Sequence, residues 1–169
     1  VRFELVREPT NLEHFNVLWP LCVESLTIAR SLGVEPIMNA SMAVLAHCGP
    51  VDLEVHDIDL SCAGKHFGPM SERSQQVGID TQVQPWGVLE LHRGNVKVEF
   101  DEAERWMQGL SGLTDVVVVR GTPVTVVCRE DLATLYRRGV EAYAGRSGQE
   151  IELRHADLER KLRLVEAAL

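Results

Sequence analysis

Two carboxylates, Asp57 and Asp59, stand two residues apart in His56-Asp57-Ile58-Asp59-Leu60, inside an apolar run that reads as a buried strand. Residues i and i+2 of a strand share a face, so the two side chains project side by side. Like charges held that close repel, and a strand that buries them needs a compensating cation. Mg²⁺ is typically held by one or two carboxylates together with substrate phosphates, so the chemistry this pair suits is metal-assisted work on a phosphate. A third acid is on offer in Val96-Lys97-Val98-Glu99-Phe100-Asp101. In that strand Val96, Val98 and Phe100 take one face, and Lys97, Glu99 and Asp101 the other. Either Glu99 or Asp101 can complete the set. The alternatives are plain ones: a solvated strand end for the pair, and an exposed polar face with ordinary surface charges for the later strand.

A phosphate also needs donors. Asn39-Ala40-Ser41 leads into a short apolar helix, Met42 to His47, that ends at Gly49-Pro50. The free N–H groups of a helix N-terminus favour an anion. Ser41 serves either as a phosphate donor or as a simple N-cap. Lys65 follows the strand closely enough to reach a phosphate; its alternative is a surface lysine.

The elements that must position these groups follow from periodicity and breakers. Thr10 with Glu13 reads as a capping box, opening a helix over 11–32 that Pro20 should kink or split and Gly33 should end. A short strand is expected within 34–39 after Gly33, then the Ser41 turn and helix, then a loop to the Asp57 strand. Residues 64–80 read as a loop holding a short helix at about 70–77. Thr81 to Leu91 alternates in part, and Arg93-Gly94-Asn95 gives a tight turn into the Glu99 strand, a β-hairpin signal. Asp101 to Trp106 leaves the strand through a loop or a short helical turn. Val116 to Val119 and Val124 to Cys128 are β-branched runs flanking the Gly121-Thr122-Pro123 turn. A helix opens at Arg129-Glu130-Asp131-Leu132 and carries Leu135, Tyr136, Val140 and Tyr143. Gly145 to Gly148 breaks it, and a last helix is expected from about Ala156. The order of strands and helices gives an α/β (α+β) class with further helices at the C-terminus. One domain is expected over 1–169, its core at about 34–128 and its helical part at about 129–169.

Composition narrows the partners. With 45% apolar and 25% charged residues the chain is ordinary for a globular protein. A formal charge of −8 offers no basic field for nucleic acid, which makes that partner unlikely by charge. Cys22, Cys48, Cys62 and Cys128 are scattered without paired spacing, which points to reduced thiols and a cytoplasmic setting. No apolar run approaches the about 20 residues that span a bilayer. The start, Val1-Arg2-Phe3-Glu4, shows no signal-peptide pattern, and the lack of Met there fits a processed or trimmed chain.

The order of strand, turn with Ser, helix, loop and D-x-D strand resembles the nucleotidyltransferase superfamily, shared by small bacterial nucleotidyltransferases and aminoglycoside or lincosamide adenylyltransferases. The matching residues are Ala40-Ser41, Asp57 and Asp59, and Glu99, over roughly residues 34–101; Arg154-His155-Ala156-Asp157 is a weaker echo in the C-terminal helices. The resemblance implies a mixed β-sheet flanked by helices, a nucleoside triphosphate substrate, Mg²⁺ as cofactor, and a hydroxyl acceptor that is a small molecule or a protein. It implies Asp57, Asp59 and Glu99 as catalytic metal ligands, with Asp101 in reserve, and Ala40, Ser41 and Lys65 as nucleotide-binding residues. Two departures stand out. The expected Gly before Ser41 is Ala40, and the loop from Val51 to His56 has no Arg. They leave open a weak or inactive transferase fold serving as a nucleotide-binding or toxin–antitoxin partner module. Other D-x-D and metal classes fit less well. A haloacid-dehalogenase pattern would sit near the chain start, a calcium loop lacks its Gly and Glu, and His47, Cys48, His56 and Cys62 match no zinc spacing.

Overall fold

The computed structural model describes residues 1–169. Its strands are β1 (Arg2–Glu4), β2 (Ile37–Met38), β3 (Asp57–Cys62), β4 (Asp80–Gln84), β5 (Val88–Arg93), β6 (Val96–Glu102), β7 (Thr114–Val119) and β8 (Thr122–Val127). The helices are α1 (Leu12–Ser31), α2 (Ala40–His47), α3 (Phe67–Gln76), α4 (Ala103–Trp106), α5 (Arg129–Tyr143) and α6 (Gln149–Ala167). The strands form one mixed sheet in the order β1-β7-β8-β2-β3-β6-β5-β4.

Register is what positions chemistry here. The parallel β3–β6 pair sets Asp57 beside Lys97, Asp59 beside Glu99 and Ser61 beside Asp101. Antiparallel β5 then brings Glu90 beside Glu99 and His92 beside Lys97. One face of these three strands is therefore polar. Their other face carries Ile58, Leu60, Leu89, Leu91, Val98 and Phe100, all buried, and α1 and α3 pack on it. Helix α2 lies against β3 and β8, and α5 and α6 pack on each other and on α2. The β5–β6 turn has Gly94 at φ +59, the positive φ that a two-residue hairpin needs at its first position.

Several expectations need correction. Helix α1 continues through Pro20 without splitting, with Pro20 on its exposed side. The capping box does not form. Asn11 is the N-cap residue, and its side chain is engaged across the fold: Nδ2 donates to the Val55 carbonyl at 2.8 Å and Oδ1 accepts the Val55 N–H at 2.9 Å. Helix α3 starts earlier than 70, after a 3₁₀ turn at Gly64–His66. The last helix begins at Gln149, not near Ala156. Its first turns are mostly exposed and bury little, so apolar spacing does not reveal them. Edge strand β1, which pairs parallel to β7, has no sequence signature at its three-residue length. No helix is long and apolar enough to cross a membrane.

Candidate active site

The polar face of β3, β6 and β5 forms the floor of a cleft of about 440 Å³. Asn39 and Ala40, at the start of α2, form one wall. Leu132, Leu135, Tyr136 and Tyr143 of α5 and Arg154 and Leu158 of α6 form another. Trp86, Trp106 and Met107 line its rim. Three carboxylates converge on the floor: one oxygen from each of Asp59, Glu99 and Asp101 lies within 4.8 Å of the others. Burial, then the charges of Asp101 and Glu99, raise the Asp59 carboxyl well above the usual carboxylate range. Burial and Glu99 push Asp101 up to about 7, against an opposing hydrogen bond from Asn39. Such repulsion among half-buried oxygens is the setting that a hard divalent cation stabilises. An all-oxygen donor set fits Mg²⁺ or Mn²⁺ and not a thiolate-seeking metal.

Asp57 stands one step along the same face of β3, in a different environment. The Lys97 ammonium lies 3.6 Å from Asp57, 2.5 Å from Glu99 and 3.7 Å from Glu90. Burial works to lower the Lys97 pKa, but the Glu99 hydrogen bond and the charges of Glu99, Asp57 and Glu90 outweigh it and raise it. Glu90 is itself buried and fixed, accepting from Gln84 Nε2 at 2.9 Å with His92 Nε2 at 3.6 Å. Burial favours its neutral form, yet these partners hold it below the usual carboxylate range.

The helix wall is built from unusual backbone. Asn39 is buried; its N–H donates to the Asp59 carbonyl at 3.0 Å and its side chain donates to Ser61 Oγ at 2.6 Å. Ala40 follows at φ +51, a conformation that favours glycine. The residue expected to be Gly from the resemblance thus occupies the backbone position where Gly fits best. Ser41 does not line the cleft; its hydroxyl lies against the Tyr136 phenol. Burial first, and then the charge of Asp59, raise the Tyr136 pKa, while Ser41 opposes the rise. Lys65 is exposed on the 3₁₀ turn after β3, outside the cleft lining.

Of the residues singled out from the sequence, the structure therefore gathers Asp59, Glu99 and the reserve Asp101, brings Ala40 to the wall, and keeps Lys65 apart. Lys97, Glu90, Trp86, Trp106, Tyr136, Tyr143 and Leu158 carry no local signal of a site. The β3–β6–β5 register brings in the first two, and long-range packing the others.

This architecture is that of the nucleotidyltransferases: the chain has the nucleotidyltransferase fold. The antibiotic-resistance factor ANT(2'')-Ia superimposes with a TM-score of 0.63 at 17% identity, over 88% of this chain and 87% of that one. A lincosamide antibiotic adenylyltransferase, LnuA, in its lincomycin-bound form, matches at 0.52 and 11% identity, over 83% and 95%. An antigenic nucleotidyltransferase-like protein from Paracoccidioides brasiliensis matches at 0.56 and 13% identity, over 86% and 74%. The sequence matches no family model and no curated protein.

Proposed function

We propose that this protein is a divalent-metal-dependent nucleotidyltransferase that moves a nucleoside monophosphate from a nucleoside triphosphate to a hydroxyl acceptor. The observation that carries this is the convergence of Asp59, Glu99 and Asp101 on the floor of a cleft in a chain with this fold. Those three would hold the ion, Mg²⁺ by the chemistry of its ligands. Bound there, a divalent ion neutralises phosphate charge and lowers the pKa of an oxygen it touches. The acceptor oxygen attacks the α-phosphorus, a new P–O bond forms, the bond to the bridging oxygen breaks, and pyrophosphate leaves. The acceptor proton passes to a carboxylate oxygen of the cluster that the ion does not occupy. The start of α2 lines the same cleft through Asn39 and Ala40, and a helix N-terminus suits a triphosphate, as does Arg154, the one cationic side chain in its lining. The acceptor is a small molecule or a protein; the apolar wall of Leu135, Tyr143 and Leu158 suits an acceptor with an apolar body.

Calorimetric titration of ATP, GTP, CTP and UTP with Mg²⁺ tests this, on wild type and on Asp59→Ala. Metal-dependent binding lost in the variant supports the transferase. Failure of every nucleotide to bind the wild type sinks it. A second function, a nucleotide-binding module without turnover, is favoured by one observation, the alanine at the positive-φ position of the phosphate-facing turn. Nucleotide binding that persists in Asp59→Ala, with no product from any acceptor, would select that module.

A further inference from the structure

The polar face of β3, β6 and β5 holds more charge than three carboxylates. Asp57 and Glu90 flank the cluster, and a single lysine sits among them. Lys97 is not a surface lysine that happens to bend inward. Its side chain is only 26% exposed. It lies on the middle of the three strands, with Asp57 in register on one side and His92 on the other. Its ammonium meets Asp57, Glu99 and Glu90. Glu90 in turn is buried and anchored by Gln84 and His92, so one of the lysine's three partners is itself held in place. A divalent ion lodged between Asp57 and Glu99 would have to displace that ammonium and break its pairs, or sit beside a like charge.

We infer that Lys97 is a resident cation of the active site, occupying the half that contains Asp57, so that this face takes one divalent ion at Asp59, Glu99 and Asp101 and not two. The inference rests on the metal-dependent function proposed above. It assigns Asp57 to Lys97 and not to an ion. It also makes Lys97 a positioning residue, which fixes the orientation of Glu99 at the shared edge of the two halves.

Counting bound Mn²⁺ on the full chain tests this without any turnover. The electron paramagnetic resonance signal of free Mn²⁺ is followed during titration of wild type, Lys97→Met and Lys97→Arg. The expected counts are one ion for wild type, one for Lys97→Arg, which keeps the charge, and two for Lys97→Met, which keeps the aliphatic stem. Two ions on the wild type, or one on a folded Lys97→Met, overturns the inference while leaving the metal-dependent function intact. No ion on the wild type overturns both. Should Lys97→Met not fold, Asp57→Asn and Asp59→Asn decide instead: loss of a ligand costs about tenfold or more in ion affinity. That loss is expected in Asp59→Asn alone. An equal loss in Asp57→Asn overturns the inference.

Discussion

Ala40 sits at φ +51 in the first turn of α2, where a Cβ crowds the backbone at a cost of roughly 1–2 kcal/mol. Glycine removes that crowding but loses more freedom on folding, about 0.5–1 kcal/mol. Ala40→Gly is therefore expected to stabilise the protein by roughly 0.5–1 kcal/mol, read as a higher midpoint in thermal unfolding, and to tighten nucleotide binding as backbone approaches phosphate more closely. A lower midpoint would show that the turn is not strained. The carboxylates make a second prediction, about pH. Asp101 has a folded pKa of about 7 against an ordinary value of 3.8, and that of Asp59 is also raised. A raised carboxyl binds more protons folded than unfolded, so its contribution to stability is complete below the unfolded value and is lost as pH rises through the folded one. Metal-free protein should lose thermal stability from about pH 4 to about 7 through Asp101, with Asp59 adding to the same slope. Asp101→Asn should flatten it, and Mg²⁺ should restore stability at the alkaline end. A metal-free profile that Asp101→Asn leaves unchanged would mean that the acids are not clustered in solution.

Among the elements, the parts legible in sequence were those with a local cause. The D-x-D strand and the Glu99 strand follow from a period of two, the hairpin before Glu99 from its Gly94 turn, and α5 from its acidic start. The cluster itself is not local. Whether Glu99, Asp101 or both join Asp59 depends on the register of two parallel strands separated by more than thirty residues, and that register also hands Asp57 to Lys97. The same limit hides the aromatic wall, since Tyr136 and Tyr143 reach the cleft only once α5 and α6 pair and pack on α2. One clamp at this scale can be tested. Asn11 mimics a strand, donating to and accepting from Val55 just ahead of β3. Asn11→Ala strands a partly buried N–H and C=O, which should cost on the order of 1–3 kcal/mol in urea unfolding and speed exchange of the Val55 amide. Exchange that stays as slow as in wild type would show that β3 is positioned without the clamp.

Taken whole, the molecule is acidic, with a formal charge of −8, yet its substrate is proposed to be a triphosphate. Attraction therefore has to be local, from the ion, the start of α2 and Arg154, since the overall field opposes an anion. Arg154 is free to act, forming no ion pair and lying 5.8 Å from the Tyr143 ring centroid, whereas Lys97 on the floor is already paired with Asp57, Glu99 and Glu90. Arg154→Gln should weaken nucleotide binding about tenfold, a loss of the size expected when a charge-assisted hydrogen bond is removed. The tryptophans report where the nucleotide sits. Trp19 is 4% exposed in the core, whereas Trp86 and Trp106, on the rim of the cleft, are 53% and 46% exposed. Acrylamide should therefore quench the two rim residues and spare Trp19. A nucleotide with Mg²⁺ in this cleft should protect that quenchable part, and Trp86→Phe/Trp106→Phe should abolish the change while heat of binding remains. Binding heat with unaltered quenching of wild type would place the nucleotide away from the cleft. The carboxylate cluster would then be an acidic patch beside an apolar groove, without a substrate to act on.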